Sequence, residues 1–133
     1  MSFHVFKDLT KDNVAAGNYE APVAEFDLVF TGPFTTTVTA KLSKFGHVYF
    51  LDIPDFVGTA VSSTNVFTAT LPSDFPTTGT SLGTGTAIYN NGDIASGFVS
   101  IENSGATLIV RNFTGVFTGQ SGLALHTVLP FFA

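Results

Sequence analysis

The stretch FTTTVTAKL, residues 34–42, alternates apolar and polar side chains and decides the fold class. Its even-numbered residues, from Phe34 to Leu42, share one face of an extended chain, while three threonines and Lys41 occupy the other. This period of two is typical of a strand with one buried face and one wet face. Helical periodicity is hard to find elsewhere, whereas Thr, Val, Ile, Phe and Gly recur in short blocks between turn residues. The sequence therefore predicts an all-β protein.

Strand-like blocks follow one another at a regular spacing from residue 25 onward. They are EFDLVF, FTTTVTAKL, HVYFLDI, NVFTATL, TAIYN, IASGFVSI, ATLIVRNF and GLALHTVLPFF. NNGD at residues 90–93 and ENSG at residues 102–105 predict tight hairpins, because Asn and Gly tolerate positive φ. We predict an antiparallel β-sandwich or jelly roll of about eight strands over residues 25–133, as a single domain. Residues 1–24 carry mixed charge and are predicted to be an N-terminal arm or loop.

The segment LPSDFP, residues 71–76, brackets an aromatic residue with two prolines. Each proline fixes φ, lacks an N–H donor and pushes the preceding residue to extended geometry. The segment is therefore predicted to be a stiff, irregular connection between two strands, with Phe75 pinned in it. It offers no chemistry of its own.

The composition favours contact with another protein. Hydrophobic residues make up 44% of the 133 residues and charged residues only 11%, far below the roughly 25% typical of soluble domains. Self-association is the simplest way to cover the excess apolar surface. Large apolar residues that fall out of phase with the predicted core are candidates for the interface, with a misjudged strand register as the alternative. These are Val48, Phe50, Phe98 and Ile109.

Charge and composition also exclude several classes of partner. The net charge is −5 and the five Lys and Arg residues are scattered, so no basic stripe is present to bind nucleic acid. The chain has no cysteine, hence no disulfide and no thiolate metal site. No stretch approaches the roughly 18 apolar residues that span a bilayer. The N-terminus lacks the apolar core of a secretory signal, so neither a signal peptide nor a transmembrane segment is expected.

Candidate catalytic or metal-binding residues are few. Asp52 and Asp55 flank Pro54, and a carboxylate pair can act on a sugar, although capping a strand end explains them better. The sequence Asn112-Phe113-Thr114 matches the acceptor for N-glycosylation, which matters only in a secretory lumen. No histidine has an acidic or imidazole neighbour at ligand spacing. The three are His4, His47 and His126. We therefore predict no cofactor, no metal and no enzymatic activity.

Three segments within residues 35–110 together carry a resemblance to a known family. KLSKFGHVYFLDI, TATLPSDFPTTG and AIYNNGDIASGFVSIENSGATLIV, in that order, resemble the receptor-binding head or fibre-tip domains of bacteriophages and other viruses. In that family a strand ending in a basic residue and Gly precedes an LP..F.P crossing and a strand pair closed by a short glycine turn. The resemblance implies a trimeric jelly roll on the virion that binds host glycans or proteins. It also implies that residues 71–76 connect the two sheets.

The leading hypothesis is a non-enzymatic viral structural protein, a homotrimer that attaches to a host or contributes to capsid architecture beside other virion proteins. Binding residues are commonly found on loops that a rigid scaffold holds in place, so we expect loops to contact a receptor. The candidate receptor-facing residues are Ser62, Thr80, Asn90 and Asn91. The alternative is a lectin-like, carbohydrate-binding sandwich that uses Tyr89 and Asn91. An enzyme that depends on Asp52 or His47 ranks third.

Overall fold

A computed structural model describes residues 23–76, 82–102 and 106–132. Within these ranges the chain forms ten β-strands and no helix. The strands are β1 (Val23–Phe30), β2 (Thr36–Phe45), β3 (Val48–Ile53), β4 (Phe56–Thr59), β5 (Val66–Thr70), β6 (Leu82–Asn90), β7 (Asp93–Glu102), β8 (Thr107–Asn112), β9 (Gln120–Leu123) and β10 (Thr127–Phe132). The predicted all-β class is confirmed. No described helix has the length and apolar character needed to span a membrane.

The strands form two antiparallel sheets that pack as a sandwich. The four-stranded sheet has the order β1-β2-β3-β10, and the six-stranded sheet has the order β4-β9-β6-β7-β8-β5. In the larger sheet β9 returns to lie beside β6, which gives β6 to β9 a Greek-key arrangement. An antiparallel bridge between Thr31 and Thr68 joins the edges of the two sheets.

The strand count differs from the prediction of about eight, for two local reasons. FVGT forms the short strand β4, which the glycine at its third position hid. The terminal block GLALHTVLPFF divides into β9 and β10, because the chain leaves the six-stranded sheet and enters the four-stranded one between them. The chain changes sheet between β3 and β4 and again between β9 and β10. The periodicity of a single sequence does not show such changes.

The core lies between the inner faces of the two sheets. In β2 the even-numbered residues face inward and the odd-numbered residues face outward, as their alternation predicts. Strand β1 alternates in the same way. The largest fully buried side chains are Phe26, Phe30, Phe67, Phe117, Leu28, Leu42, Leu51, Ile53, Ile88, Ile101, Leu108 and Leu123. Burial of this apolar surface is the main stabilising contribution to the fold.

Residues 71–76 connect two strands of the same sheet, so their predicted role as a crossing between the two sheets is wrong. Both β5 and β6 belong to the six-stranded sheet. The amide of Phe75 donates to the carbonyl of Pro72 at 3.0 Å, which turns the chain back on itself. The ring of Phe75 then lies 5.8 Å from Phe26 and 5.6 Å from Phe131. The turn between the two prolines thus packs the Phe75 ring against one end of the core.

The sandwich has two unlike ends. At one, which we call the entry end, β1 begins with Val23 opposite Ser43 and β10 finishes with Phe132 opposite Val48. At the other, the free end, the connections 31–35, 60–65, 90–93 and 113–119 meet; we call these the free-end loops. The predicted arm, residues 1–24, lies outside the described residues except for its last two, which already belong to β1.

Candidate functional site

The free-end loops are tied together by backbone hydrogen bonds. The amide of Val61 donates to Pro33 at 2.7 Å, and the amide of Ala60 donates to Gly119 at 2.8 Å. The amide of Asn91 donates to Thr118 at 2.7 Å. Segment 113–119 therefore links the loop after β4 to the β6–β7 hairpin, and all four loops form one continuous surface.

The two hairpin asparagines have structural roles. Asn91 and Gly92 adopt φ values of 52° and 79°, the left-handed pair that a tight hairpin requires. The Oδ1 atom of Asn90 accepts the N–H of Thr118 at 2.8 Å. The side-chain oxygen of Asn90 thus already holds the neighbouring loop, so it is poorly placed to bind a sugar as well.

A shallow cavity of about 260 Å³ opens at the free end between residues 60–63 and 117–119. Ser62 lies in its wall and donates its hydroxyl to the carbonyl of Gly32 at 2.8 Å. Val61 stands at the rim with 82% of its surface exposed. Ser62, Asn90 and Asn91 therefore share the free end, whereas Thr80 lies outside the described residues. Receptor contact by these residues stays a prediction.

The free end carries almost no charge. Asp93 is the single charged residue in the free-end loops. The cations of the described strands are engaged elsewhere: Lys41 lies 3.7 Å from Glu25, and Arg111 lies 2.7 Å from Glu102. The third, Lys44, is buried with its ammonium 4.9 Å from the centre of the Tyr49 ring. The surface therefore presents hydroxyls, amides and apolar groups.

The four candidate interface residues fall on opposite faces of the sandwich. Side chains alternate between the two faces of strand β3, and Tyr49 and Leu51 point into the core. Val48 and Phe50 therefore point outward from the four-stranded sheet. Phe98 and Ile109 lie on the outer face of the six-stranded sheet. One flat contact therefore cannot bury all four, and their role at an interface stays a prediction.

An apolar patch lies on the outer face of the four-stranded sheet, beside the entry end. Phe45 pairs across from Val48, and Phe132 pairs with Val48 from the other side. The rings of Phe45 and Phe50 meet edge to face at 6.2 Å. Phe45 is 56% exposed and Phe132 is 64% exposed. We call Phe45, Val48, Phe50 and Phe132 the entry-end patch; sequence reasoning missed its two outermost members because they terminate strands.

The outer face of the six-stranded sheet carries a mixed surface. The ring of Phe98 covers β6 so closely that a Cβ atom at Gly83 would lie 2.2 Å from it. Phe113 packs on Phe98 with ring centres 5.8 Å apart. Beside them Glu102 accepts the Ser100 hydroxyl at 2.5 Å and the Arg111 guanidinium at 2.7 Å. These two bonds, with Ser100 the larger cause, lower the pKa of Glu102 below its usual value of 4.5.

The candidate catalytic residues do not assemble into a catalytic group. His126 contacts Asp52, 74 positions away, a pairing that ligand spacing along the sequence does not reveal. The pair lies at the surface, whereas Asp55 and His47 are exposed without joining it. No three potential metal ligands converge anywhere in the described ranges. This arrangement offers no nucleophile with a base and an oriented partner.

The predicted glycosylation acceptor is buried. Asn112 is 3% exposed, and its Oδ1 accepts the N–H of Thr114 at 2.8 Å and the Thr114 hydroxyl at 2.6 Å. Both polar residues of the acceptor sequence therefore serve a turn after β8. A transferase would have to unfold this segment to reach the amide.

No protein-family model matches the chain, and no curated protein sequence does. Solved structures of reovirus attachment proteins share its fold. The reovirus attachment protein sigma1, in complex with alpha-2,3-sialyllactose, is 15% identical with a TM-score of 0.56, over 86% of this chain and 66% of that chain. The C-terminal receptor-binding domain of avian reovirus fibre sigmaC, in its Zn crystal form, is 16% identical with a TM-score of 0.57, over 87% and 77%. At such identities the likeness shows the fold.

Proposed function

We propose that this chain is a non-enzymatic viral structural protein, a head or other virion surface component that attaches to a host. The observation that carries the proposal is the fold shared with the reovirus receptor-binding domains. The two unlike ends of the sandwich, the entry end and the free end, add to it. Strand β1 begins and strand β10 finishes at the entry end. A fibre or particle joined to the domain at the entry end would therefore leave the free end facing outward. Connecting loops held on a rigid scaffold are where binding surfaces usually lie.

We further propose that the chain is a homotrimer that buries the entry-end patch. The patch contains no charged residue, so copies of a chain with a net charge of −5 can bring it together without placing like charges in contact. Copies that joined through the two opposite faces of a flat sandwich would form an open stack, whereas a closed trimer turns one face toward its axis. Three copies attached to one fibre or particle by their entry ends would approach one another through the faces that carry the entry-end patch.

The solution mass tests this assembly. Light scattering across a dilution series should give three times the 14.0 kDa of the chain. Phe132→Ser should dissociate the trimer, whereas Phe113→Ser, with nearly the same exposed fraction on the opposite face, should not (64% and 63%). A monomer at every concentration, or dissociation by Phe113→Ser alone, would contradict the proposed interface.

Attachment requires a separate measurement. Fluorescently labelled protein is applied to a panel of cell types and to a glycan array, and bound fluorescence is measured. Val61→Asp, at the cavity rim, should reduce binding by at least about tenfold, because it places a charge in the centre of an apolar contact. Ser73→Asp, exposed near the entry end, serves as the matched control. A stable trimer that binds no surface would favour the role in capsid architecture.

A lectin-like module is the second candidate, favoured by the sialyllactose in the sigma1 structure. It predicts loss of glycan binding on Tyr89→Ala, with the assembly unchanged. Tyr89 lies half-buried on the outer face of the six-stranded sheet, one residue before the hairpin. Glycan binding that survives Val61→Asp but not Tyr89→Ala would place the site on this sheet rather than at the free end.

A further inference from the structure

The tip of the β6–β7 hairpin holds an asparagine that is followed directly by a glycine. Asn91 is the one asparagine of the sequence that precedes a glycine, and every other asparagine precedes a residue with a side chain. Both Asn91 and Gly92 are exposed. Because glycine has no Cβ atom, no side chain hinders the main-chain nitrogen of Gly92 from approaching the side-chain carbonyl carbon of Asn91. Asn91 is therefore more open to attack by the main chain than the other asparagines.

The fold holds both groups of this pair in place. The N–H of Gly92 donates to the carbonyl of Gln120 at 3.0 Å, and the N–H of Asn91 donates to the carbonyl of Thr118 at 2.7 Å. The Oδ1 atom of Asn91 lies against the loop, because a Cβ atom added at Gly119 would be 2.8 Å from it. The nitrogen that could attack is thus held by strand β9, and the side chain is packed on the segment before that strand.

We propose that Asn91 is a site of spontaneous deamidation, and that opening of the hairpin from residues 118–120 controls its rate. In the open hairpin a hydroxide ion removes the proton of the Gly92 N–H, and the nitrogen attacks Cγ of Asn91. The new C–N bond closes a succinimide ring, while the bond from Cγ to the side-chain nitrogen breaks and that nitrogen takes up a proton and leaves as ammonia. Water then opens the ring at either carbonyl, giving aspartate or isoaspartate. Overall, one water is consumed and one ammonia is released.

The hydrogen bond from Gly92 to Gln120 explains why the fold controls the rate. The nitrogen attacks only after it loses the proton that it donates to Gln120, and amide hydrogen exchange at Gly92 requires the loss of the same proton. Both reactions therefore proceed from the same locally opened form of the hairpin. The folded chain should slow both by the same factor, whereas a pair that the fold did not hold would react as it does in a peptide.

The two products change the free end in different ways. Aspartate at position 91 places a second carboxylate in the free-end loops, where Asp93 is the single charged residue. Isoaspartate also adds one carbon atom to the main chain of a tight hairpin turn. The two hairpin amides can then no longer both hold their bonds to residues 118–120. This chemistry is independent of the proposed attachment, although it alters the surface that we propose for it.

Mass spectrometry in water enriched in heavy oxygen tests the site. The purified full chain is incubated in mildly alkaline buffer, both folded and in urea, and its peptides are mapped. Heavy oxygen should enter the folded chain at Asn91 sooner than at any other asparagine of the described ranges. Asn91→Gly, which keeps a residue suited to the left-handed turn, should show no uptake at that position. The ratio of folded to unfolded uptake rates at Asn91 should match the ratio of amide-exchange rates at Gly92 within about threefold.

Two further variants separate the opening of the hairpin from the charge of the product. Asn90→Ala removes the hydrogen bond to the Thr118 amide, so it should raise both the uptake at Asn91 and the amide exchange of Gly92 by about two- to tenfold. Asn91→Asp gains the charge without the extra carbon atom, so its Thr118 amide should exchange more slowly than that of the isoaspartate product. Faster uptake at another described asparagine, or a rise in Gly92 exchange without an equal rise in uptake at Asn91, would overturn the proposal.

Discussion

Phe67→Ala is the substitution that best tests how the core supports the free end. Phe67 is fully buried in β5. Its ring lies 5.1 Å from Phe34, 5.2 Å from Phe56 and 4.8 Å from Phe117. Two of these partners belong to free-end loops, so Phe67 joins the sheet to the surface that we propose binds a receptor.

The expected cost follows from these contacts. Truncating a buried Phe to Ala destabilises a protein by about 3–5 kcal/mol. Aromatic pairs contribute roughly 0.5–1.5 kcal/mol each beyond the buried area, and Phe67 loses three of them. We therefore expect a loss near the upper limit, about 5 kcal/mol, which is a large part of a typical stability of about 5–15 kcal/mol. Leu51→Ala, fully buried in β3, should cost about 3 kcal/mol.

Two assays separate the global effect from the local one. Urea unfolding gives the loss of free energy for both variants. Amide exchange then reports on Phe117, whose N–H donates to Thr64 at 2.9 Å, and on Thr118. Phe67→Ala should accelerate exchange at both amides beyond its global effect, whereas Leu51→Ala should not. A cost below about 2 kcal/mol, or equal acceleration by both variants, would refute the view that Phe67 supports the free end.

Three further predictions concern single polar side chains. Because the pKa of Glu102 is lowered, its charged form stabilises the fold above about pH 4.5, and that contribution disappears as the pH falls through the folded pKa. The difference in Tm between wild type and Glu102→Gln should therefore shrink between about pH 7 and about pH 3. A Tm difference that stays constant over this range would contradict the prediction. Asn90→Ala should lower the free energy of unfolding by about 0.5–1.5 kcal/mol, because an exposed, loop-closing hydrogen bond to the Thr118 amide is lost. Urea unfolding measures this loss, and amide exchange at Thr118 should become faster; unchanged exchange at Thr118 would contradict the prediction. An N-glycosyltransferase added to the purified, folded chain should leave Asn112 unmodified by mass spectrometry, since its amide is buried, and modification of the folded chain would contradict the described turn.

Local periodicity predicted most of the fold because strand faces are set by the chain itself. The alternation in β2 and the outward position of Phe50 both follow from the period of two. The hairpin at Asn91 and Gly92 follows from the φ values that those residues tolerate. These features depend on neighbours in sequence, so a single sequence is enough to reveal them.

Features that depend on contacts distant in sequence were not predictable in the same way. The contact between His126 and Asp52 joins residues 74 positions apart. The placement of residues 71–76 within one sheet depends on where β6 inserts, which their prolines do not determine. Strand pairing, rather than strand identity, is what the sequence leaves open.

The charge distribution at the free end limits how far the likeness to sigma1 extends. An acidic sugar brings a carboxylate that a protein stabilises with a cation or with several hydrogen-bond donors. Asp93, an anion, is the one charged residue in the free-end loops, so these loops offer no cation to such a carboxylate. The free end, which we propose as the attachment surface, is therefore better suited to an uncharged partner, with Val61 as its exposed apolar residue and Ser62 beside it.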